Sequence, residues 1–196
     1  MLTGFHILLF IILLSIGALW SATTPHKFFD FVKTLGIPKN WLILGFQVLP
    51  FLQLANIFVF RWPATRLDGV WIFIGVILLI AGAVLACWAK IVMKTNWGSP
   101  GEHNIQTQRQ IVVDGPFRIT RNPIYLGLLM VFFGFELTVE SSLVVLTIFL
   151  YWFMIRTITR EEILLTRYFG KNYQTYREHV PRFFPTPQSI HAIMRT

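Results

Sequence analysis

Residues 123–162, PIYLGLLMVFFGFELTVESSLVVLTIFLYWFMIRTITREE, carry the pattern that decides how this chain folds. Two apolar stretches, Tyr125 to Phe135 and Leu143 to Ile155, flank a compact polar turn at Glu136 to Ser142 (ELTVESS), and the segment reads as a helical hairpin. Each stretch alone is shorter than the roughly 20 residues needed to cross hydrocarbon as a helix. A first helix starting at Pro123 and a second running on past Glu162 into water would let both cross or nearly cross. Outward from this hairpin lie three longer runs without Lys, Arg, Asp or Glu: Leu2 to Ala22, Trp41 to Phe60 and Gly69 to Ala89. Each has the length of a membrane span. The first lacks a basic n-region and a small-x-small cleavage site near Ala22, so it reads as retained rather than as a signal sequence. The expectation is an all-α integral membrane protein with about five transmembrane helices, the last two paired.

Composition agrees. Of 196 residues, 55% are hydrophobic and only 13% charged, and the mean hydropathy is +0.60, well above that of a soluble domain. The chain reads as one membrane domain, residues 1–93 supplying three spans and residues 94–196 the polar, chemistry-bearing half. Basic residues sort by loop: Lys27, Lys33 and Lys39 follow the first span, and Lys94, Arg109, Arg118 and Arg121 follow the third. Arg156, Arg160, Arg167, Lys171, Arg177, Arg182 and Arg195 lie at the C-terminal end, against only Arg61 and Arg66 on the opposite side. Lys and Arg accumulate on the cytoplasmic side, so the N-terminus is expected outside and both polar blocks in the cytoplasm. The net charge of +8 is then a topology signature that requires no nucleic acid. Membrane lipids are the expected surroundings.

Several chemistries lack residues. Cys87 is the only cysteine, which excludes disulfides and a cysteine metal site, and the five histidines are scattered without ligand spacing, so no metal is expected. Trp97-Gly98-Ser99-Pro100-Gly101 is neither a dinucleotide fingerprint nor a phosphate loop. Pro50 interrupts the second span. Gln47, Gln53 and Asn56 there are expected to face protein, making interhelical hydrogen bonds. Gly75, Gly82 and Ala86 offer small surfaces for close helix packing. Residues 28–35 suit a short interfacial helix or a plain loop.

The polar residues concentrate in two blocks, Gly115–Tyr125 (GPFRITRNPIY) and Arg160–Tyr176 (REEILLTRYFGKNYQTY). Asn122 before Pro123 marks a helix start, with Asn122 as N-cap. Gly170 marks a helix end, followed by a short helix from Asn172 to about Val180. Packing against the membrane surface is the plainer expectation for Tyr173 and Tyr176. The hairpin brings Arg118, Arg121, Asn122 and Tyr125 to the same side as Arg156, Arg160, Glu161 and Glu162, and that convergence makes a candidate pocket.

Asp114-Gly115-Pro116-Phe117, Arg121-Asn122-Pro123-Ile124-Tyr125-Leu126-Gly127 and Glu161-Glu162, followed by Leu165, Phe169-Gly170, Tyr173, Tyr176 and Val180-Pro181, together resemble the isoprenylcysteine carboxyl methyltransferase family and its phospholipid methyltransferase relatives. The resemblance covers roughly the C-terminal half, with order and spacing kept. Overall length is similar to compact prokaryotic members. It implies S-adenosylmethionine as methyl donor, held by Glu102, Arg109, Gln110, Ile111, Val112, Phe117, Arg121, Asn122, Pro123, Ile124, Tyr125 and Glu161. It implies a lipophilic or prenylated acceptor entering from the bilayer, whose carboxylate Arg156 or Arg160 would hold, with Glu161 as the third catalytic candidate. Three positions depart from the family pattern: the substrate-side arginine falls near Thr157, Arg109 stands where histidine is common, and Asn122 replaces the histidine of R-H-P-x-Y. The implied reaction is methylation of an α-carboxylate at the membrane-cytosol boundary. Rival readings are a phospholipid or amine N-methyltransferase, with Glu162 as base, and a non-catalytic membrane scaffold that uses the basic tail on anionic lipids.

Overall fold

The computed structural model describes residues 4–23, 38–58, 60–93 and 110–184, and among them the regular structure is helical. Six α-helices follow one another: α1 (Gly4–Thr23), α2 (Pro38–Leu54), α3 (Asp68–Met93), α4 (Pro123–Thr138), α5 (Leu146–Phe169) and α6 (Lys171–His179). Short 3-10 turns at Gly115–Arg118 and Ser142–Val145 precede α4 and α5. Among the described residues, two helices are long and apolar enough to cross a bilayer, α3 and the continuous Ser142–Phe169 segment that contains α5. Shorter apolar helical stretches cover His6–Leu19, Ile43–Leu54 and Pro123–Thr138. The expected interfacial helix at 28–35 lies outside the described residues, as do Glu102 and Arg109.

The main helix pair is α3 against α4. Along α3 the buried residues are Gly75, Leu79, Gly82, Ala86, Ala89 and Lys90, a stripe at three- and four-residue spacing. The small members of this stripe meet small members of α4 in antiparallel order. A Cβ placed on Gly82 would lie 2.6 Å from the Gly127 carbonyl oxygen and 2.8 Å from the Val131 nitrogen. One placed on Gly134 would lie 2.5 Å from the Leu79 nitrogen. Backbones this close make many weak dispersion contacts, the form of attraction that remains where lipid is as apolar as the helix surface.

Three details differ from the sequence reading. The second apolar run was expected to continue to Phe60, but α2 stops at Leu54. Asn56 takes φ +59°, while its N–H reaches the Gln53 carbonyl at 2.9 Å and the Ile57 N–H reaches Leu52 at 2.9 Å. That is the left-handed asparagine form of a Schellman cap, so Asn56 ends a helix instead of facing a partner inside one. Asn56 and Gln47 are both exposed. Only Gln53 faces protein: its amide donates at 3.0 Å to both Glu136 Oε2 and Ser141 Oγ. The turn after α4 also begins later than Glu136, because α4 continues to Thr138 and buries the Glu136 carboxyl at 0% exposure. The turn is tied down by Phe60 and Trp62, whose backbones pair with Ser142 and Glu140.

Candidate functional site

At the other end of α4, three segments converge with the C-terminal part of α5. Gly115 adopts φ +57°, a conformation that glycine enters without steric cost, and it sets the 3-10 turn against Trp88 and Val92 of α3. That turn buries Phe117 in a cluster with Ala89 and Ile124. Pro123 opens α4 at its first position, where its missing N–H costs nothing. Asn122 occupies the N-cap position without making a side-chain cap. Its amide instead donates to the Arg182 carbonyl at 3.1 Å, so its expected capping role is replaced by a tie to the C-terminal segment.

The centre of this arrangement is an ionic knot. Arg121 donates through Nε and Nη2 to Glu162 Oε1 at 3.1 and 2.9 Å. Its Nη1 reaches the Arg177 carbonyl at 2.9 Å and also the Val180 carbonyl. The second Glu162 oxygen accepts from Arg182 Nη2 at 2.5 Å. The Arg121 and Glu162 side chains are 9% and 4% exposed, so desolvation is substantial and is offset by pairing at every oxygen. Next to this knot, Glu161 is buried and accepts a hydrogen bond from the Tyr125 hydroxyl at 2.5 Å. Successive α5 carboxylates thus divide their work, Glu162 binding protein cations and Glu161 turning toward Tyr125.

Around these groups lies a cavity with about 870 Å³ of empty space, its solvent-open part included. Its wall contains Gln110, Ile111, Val112, Phe117, Arg121, Asn122, Pro123, Ile124, Tyr125 and Glu161, ten residues singled out from sequence. Arg156 and Arg160 are not in that wall. Both are exposed, and the Arg156 guanidinium sits 3.8 Å over the Trp152 ring. Glu162, Met93, Leu128, Leu165, Phe169, Tyr173 and Tyr176 complete the lining; of these, Met93 and Leu128 were not singled out from sequence, and Leu165, Phe169, Tyr173 and Tyr176 were read as motif residues without a place in the donor site. The tyrosines were expected against the membrane surface. Instead Tyr173 is 3% exposed and the Tyr176 hydroxyl donates to the Phe117 carbonyl at 2.7 Å. Their three-residue spacing on a short helix was the available signal. Burial, followed for Tyr173 by the Glu162 charge and for Tyr176 by Tyr173, pushes both phenols well above the usual range.

The donor set suits a zwitterionic ligand with a flat heterocycle. Among the described lining residues, Glu161 offers a carboxylate to an ammonium or hydroxyl, Asn122 and the 110–112 backbone offer amide chemistry, and Phe117 and Tyr176 offer aromatic surface. Apolar Met93, Ile124, Leu128 and Leu165 complete the enclosure. No group of three or more potential metal ligands occurs among the described residues.

Comparison with known proteins bears on this site. The chain is 25% identical over 157 residues to a probable protein-S-isoprenylcysteine O-methyltransferase of Oryza sativa subsp. indica, covering 78% of this chain and 79% of that protein. A protein-S-isoprenylcysteine O-methyltransferase of Schizosaccharomyces pombe is 29% identical over 94 residues, 45% of this chain and 40% of that protein. No solved structure matches the chain. The phospholipid methyltransferase family matches residues 70–172, more than half of the chain and a range that runs from α3 through the cavity-forming part of α5. The chain belongs to the phospholipid methyltransferase family.

Proposed function

We propose that this membrane methyltransferase uses S-adenosylmethionine to methylate the α-carboxylate of a prenylated cysteine or a similar lipophilic acceptor at the membrane-cytosol boundary. The observation that carries the reading is the convergence of residues 110–112, 117, 121–125 and 161 on one cavity. When bound, S-adenosylmethionine supplies an electrophilic methyl group on a sulfonium. Glu161, held by Tyr125, would take a hydroxyl or amino group of that donor. Asn122 and the Gln110–Val112 backbone would hold its polar end, and Phe117 and Tyr176 its flat ring. A terminal carboxylate has a pKa of about 3.5 and is already an anionic nucleophile at neutral pH. The residues therefore need to orient and exclude water more than to move protons. Arg156 and Arg160, outside the cavity wall, are assigned to capture of the acceptor's anionic end at the surface.

In the same reading the single domain crosses the membrane about five times, α4 and α5 form the last pair, and the site opens to the cytoplasm. The positive-inside distribution supports this orientation. Opposite-side labelling of residues 118 and 161 would remove it.

The family match also favours a second acceptor class, a phospholipid or other amine. Deprotonating an ammonium nucleophile needs a base. Glu162 is bound by two guanidiniums, so in that case the base is Glu161. Transfer of a labelled methyl group from S-adenosylmethionine to a farnesyl-cysteine analogue or to phosphatidylethanolamine separates the two by which acceptor becomes labelled. Labelling of neither overturns both.

A further inference from the structure

The segment Val180–Phe183 returns from α6 across the start of α4, and its backbone is consumed there. The Arg121 N–H donates to the Pro181 carbonyl at 2.9 Å, and the Arg121 side chain to the Val180 carbonyl. The Arg182 carbonyl accepts from Thr120 Oγ1 at 2.9 Å and from the Asn122 amide at 3.1 Å. At the same residue the side chain closes on Glu162. One position beyond, Phe183 is buried with Phe132, Leu150, Met154 and Ile158, and its ring lies 5.9 Å from that of Tyr151. Upstream, Tyr173 and Tyr176 of α6 stand in the cavity wall. Residues 173–183 thus supply two wall residues, Tyr173 and Tyr176, and tie together three other parts of the wall: the 3-10 turn at Phe117, the start of α4 at Arg121 and Asn122, and α5 at Glu162.

We propose that Val180–Phe183 is a strap that positions the donor cavity, with Arg182 as its positioning residue. Arg182 contacts Glu162 and Asn122 through separate groups, side chain and carbonyl, and so sets the distance between the α4 start and α5. That distance governs whether Tyr125 and Glu161 meet. Glu162 has one oxygen for Arg121 and one for Arg182, so loss of Arg182 leaves the carboxylate held at Oε1 alone and its second oxygen unpaired. The adjoining turn of α5, which carries Glu161, then loses its fixed reference. Arg182 is the more exposed partner, at 34% against 4% for Glu162, as suits a group that completes a site from its rim. The role rests on the methyltransferase reading above.

Two measurements on the full chain in detergent micelles test it. Calorimetry with S-adenosylhomocysteine compares the unsubstituted protein with Arg182→Ala and Arg182→Lys. Loss of a charge-assisted contact weakens binding by about tenfold or more in Arg182→Ala. Arg182→Lys, which keeps the charge, recovers most of the loss. Hydrogen exchange on the unsubstituted chain needs no variant: by linkage, a strap that favours binding is itself stabilised by binding, so the amides of Val180, Arg182, Phe183 and Phe184 slow on saturation with S-adenosylhomocysteine. Unchanged affinity in Arg182→Ala, or unchanged exchange at 180–184 while 121–125 slows, overturns the strap alone. Failure of the unsubstituted chain to bind S-adenosylhomocysteine removes the methyltransferase reading and the strap with it.

Discussion

Replacing Gly127 by alanine puts a methyl group where α3 and α4 nearly touch. The added Cβ would lie 2.6 Å from the Gly82 carbonyl oxygen and 2.8 Å from both the Ala86 nitrogen and the Ala86 Cβ. These atoms belong to backbone or to the stem of a side chain, so no rotamer change relieves the contact. Restoring an ordinary 3.4 Å separation requires a shift of roughly 0.8 Å at the closest atom, and such a gap forfeits about a quarter to a half of the dispersion well for each facing pair. Overpacking of this kind costs about 1–3 kcal/mol. In an ordinary helix the same substitution favours folding by about 0.5–1 kcal/mol, so the sign of the effect diagnoses the contact. Gly45 of α2, with nothing within 4 Å of a built Cβ, supplies the control. Thermal unfolding in detergent, followed by the helical circular dichroism signal, reads the difference. Gly127→Ala is expected to lower the midpoint by about 2–4 °C per kcal/mol lost, whereas Gly45→Ala leaves it equal or higher. A Gly127→Ala midpoint at or above that of Gly45→Ala would refute the close α3–α4 approach. The site would feel the same shift, since α3 ends at Met93 and α4 begins at Pro123, both in the cavity wall.

Glu162→Gln removes the charge between Arg121 and Arg182 and should destabilise the ligand-free protein by about 3 kcal/mol; a loss in thermal unfolding smaller than that of an exposed-residue control contradicts the knot. Tyr125→Phe deletes the hydroxyl donated to Glu161 and should weaken S-adenosylhomocysteine about fivefold to tenfold with the fold unchanged, as read by calorimetry. Gln53→Leu leaves Glu136 and Ser141 without their shared donor and should cost about 1–3 kcal/mol, while Gln47→Leu at an exposed position should stay within about 0.5 kcal/mol in the same unfolding assay. Tyr173 and Tyr176 hold their protons above the ordinary phenol value of 10.0. Their stabilisation is therefore complete below that value and is lost as pH rises above it, because unfolded phenols ionise first. Ultraviolet titration should give, below the unfolding pH, the same tyrosinate amplitude in the unsubstituted chain as in the Tyr173→Phe, Tyr176→Phe double variant, because neither phenol ionises while folded; an excess of two tyrosinates in the folded unsubstituted chain contradicts their burial.

Much of the helical character was legible because it depends on short-range facts. Long uncharged runs, Pro123 at a helix start and Gly170 at a helix end express local hydropathy and backbone preference, which are properties of neighbouring residues. The cavity wall was legible where the family resemblance supplied positions, at Gln110–Val112, Phe117 and Arg121–Tyr125, and at the adjacent carboxylates. Local preference misled at Asn56. There the asparagine was read as a polar atom in need of a partner, whereas its tolerance of a left-handed backbone lets it end α2.

What the sequence by itself determined is a strongly apolar helical chain with its polar chemistry gathered in two blocks, residues 115–125 and 160–176. Only the tertiary structure decided which polar side chains face one another. Arg121, Arg156, Arg160 and Arg182 are alike in the sequence, yet Arg121 and Arg182 close on Glu162 while Arg156 lies over Trp152. The difference arises because a guanidinium's partner depends on helix rotation and on the path of Val180–Phe183 across α4. Both are set by packing between residues distant in the chain, including the glycine contacts of α3 with α4.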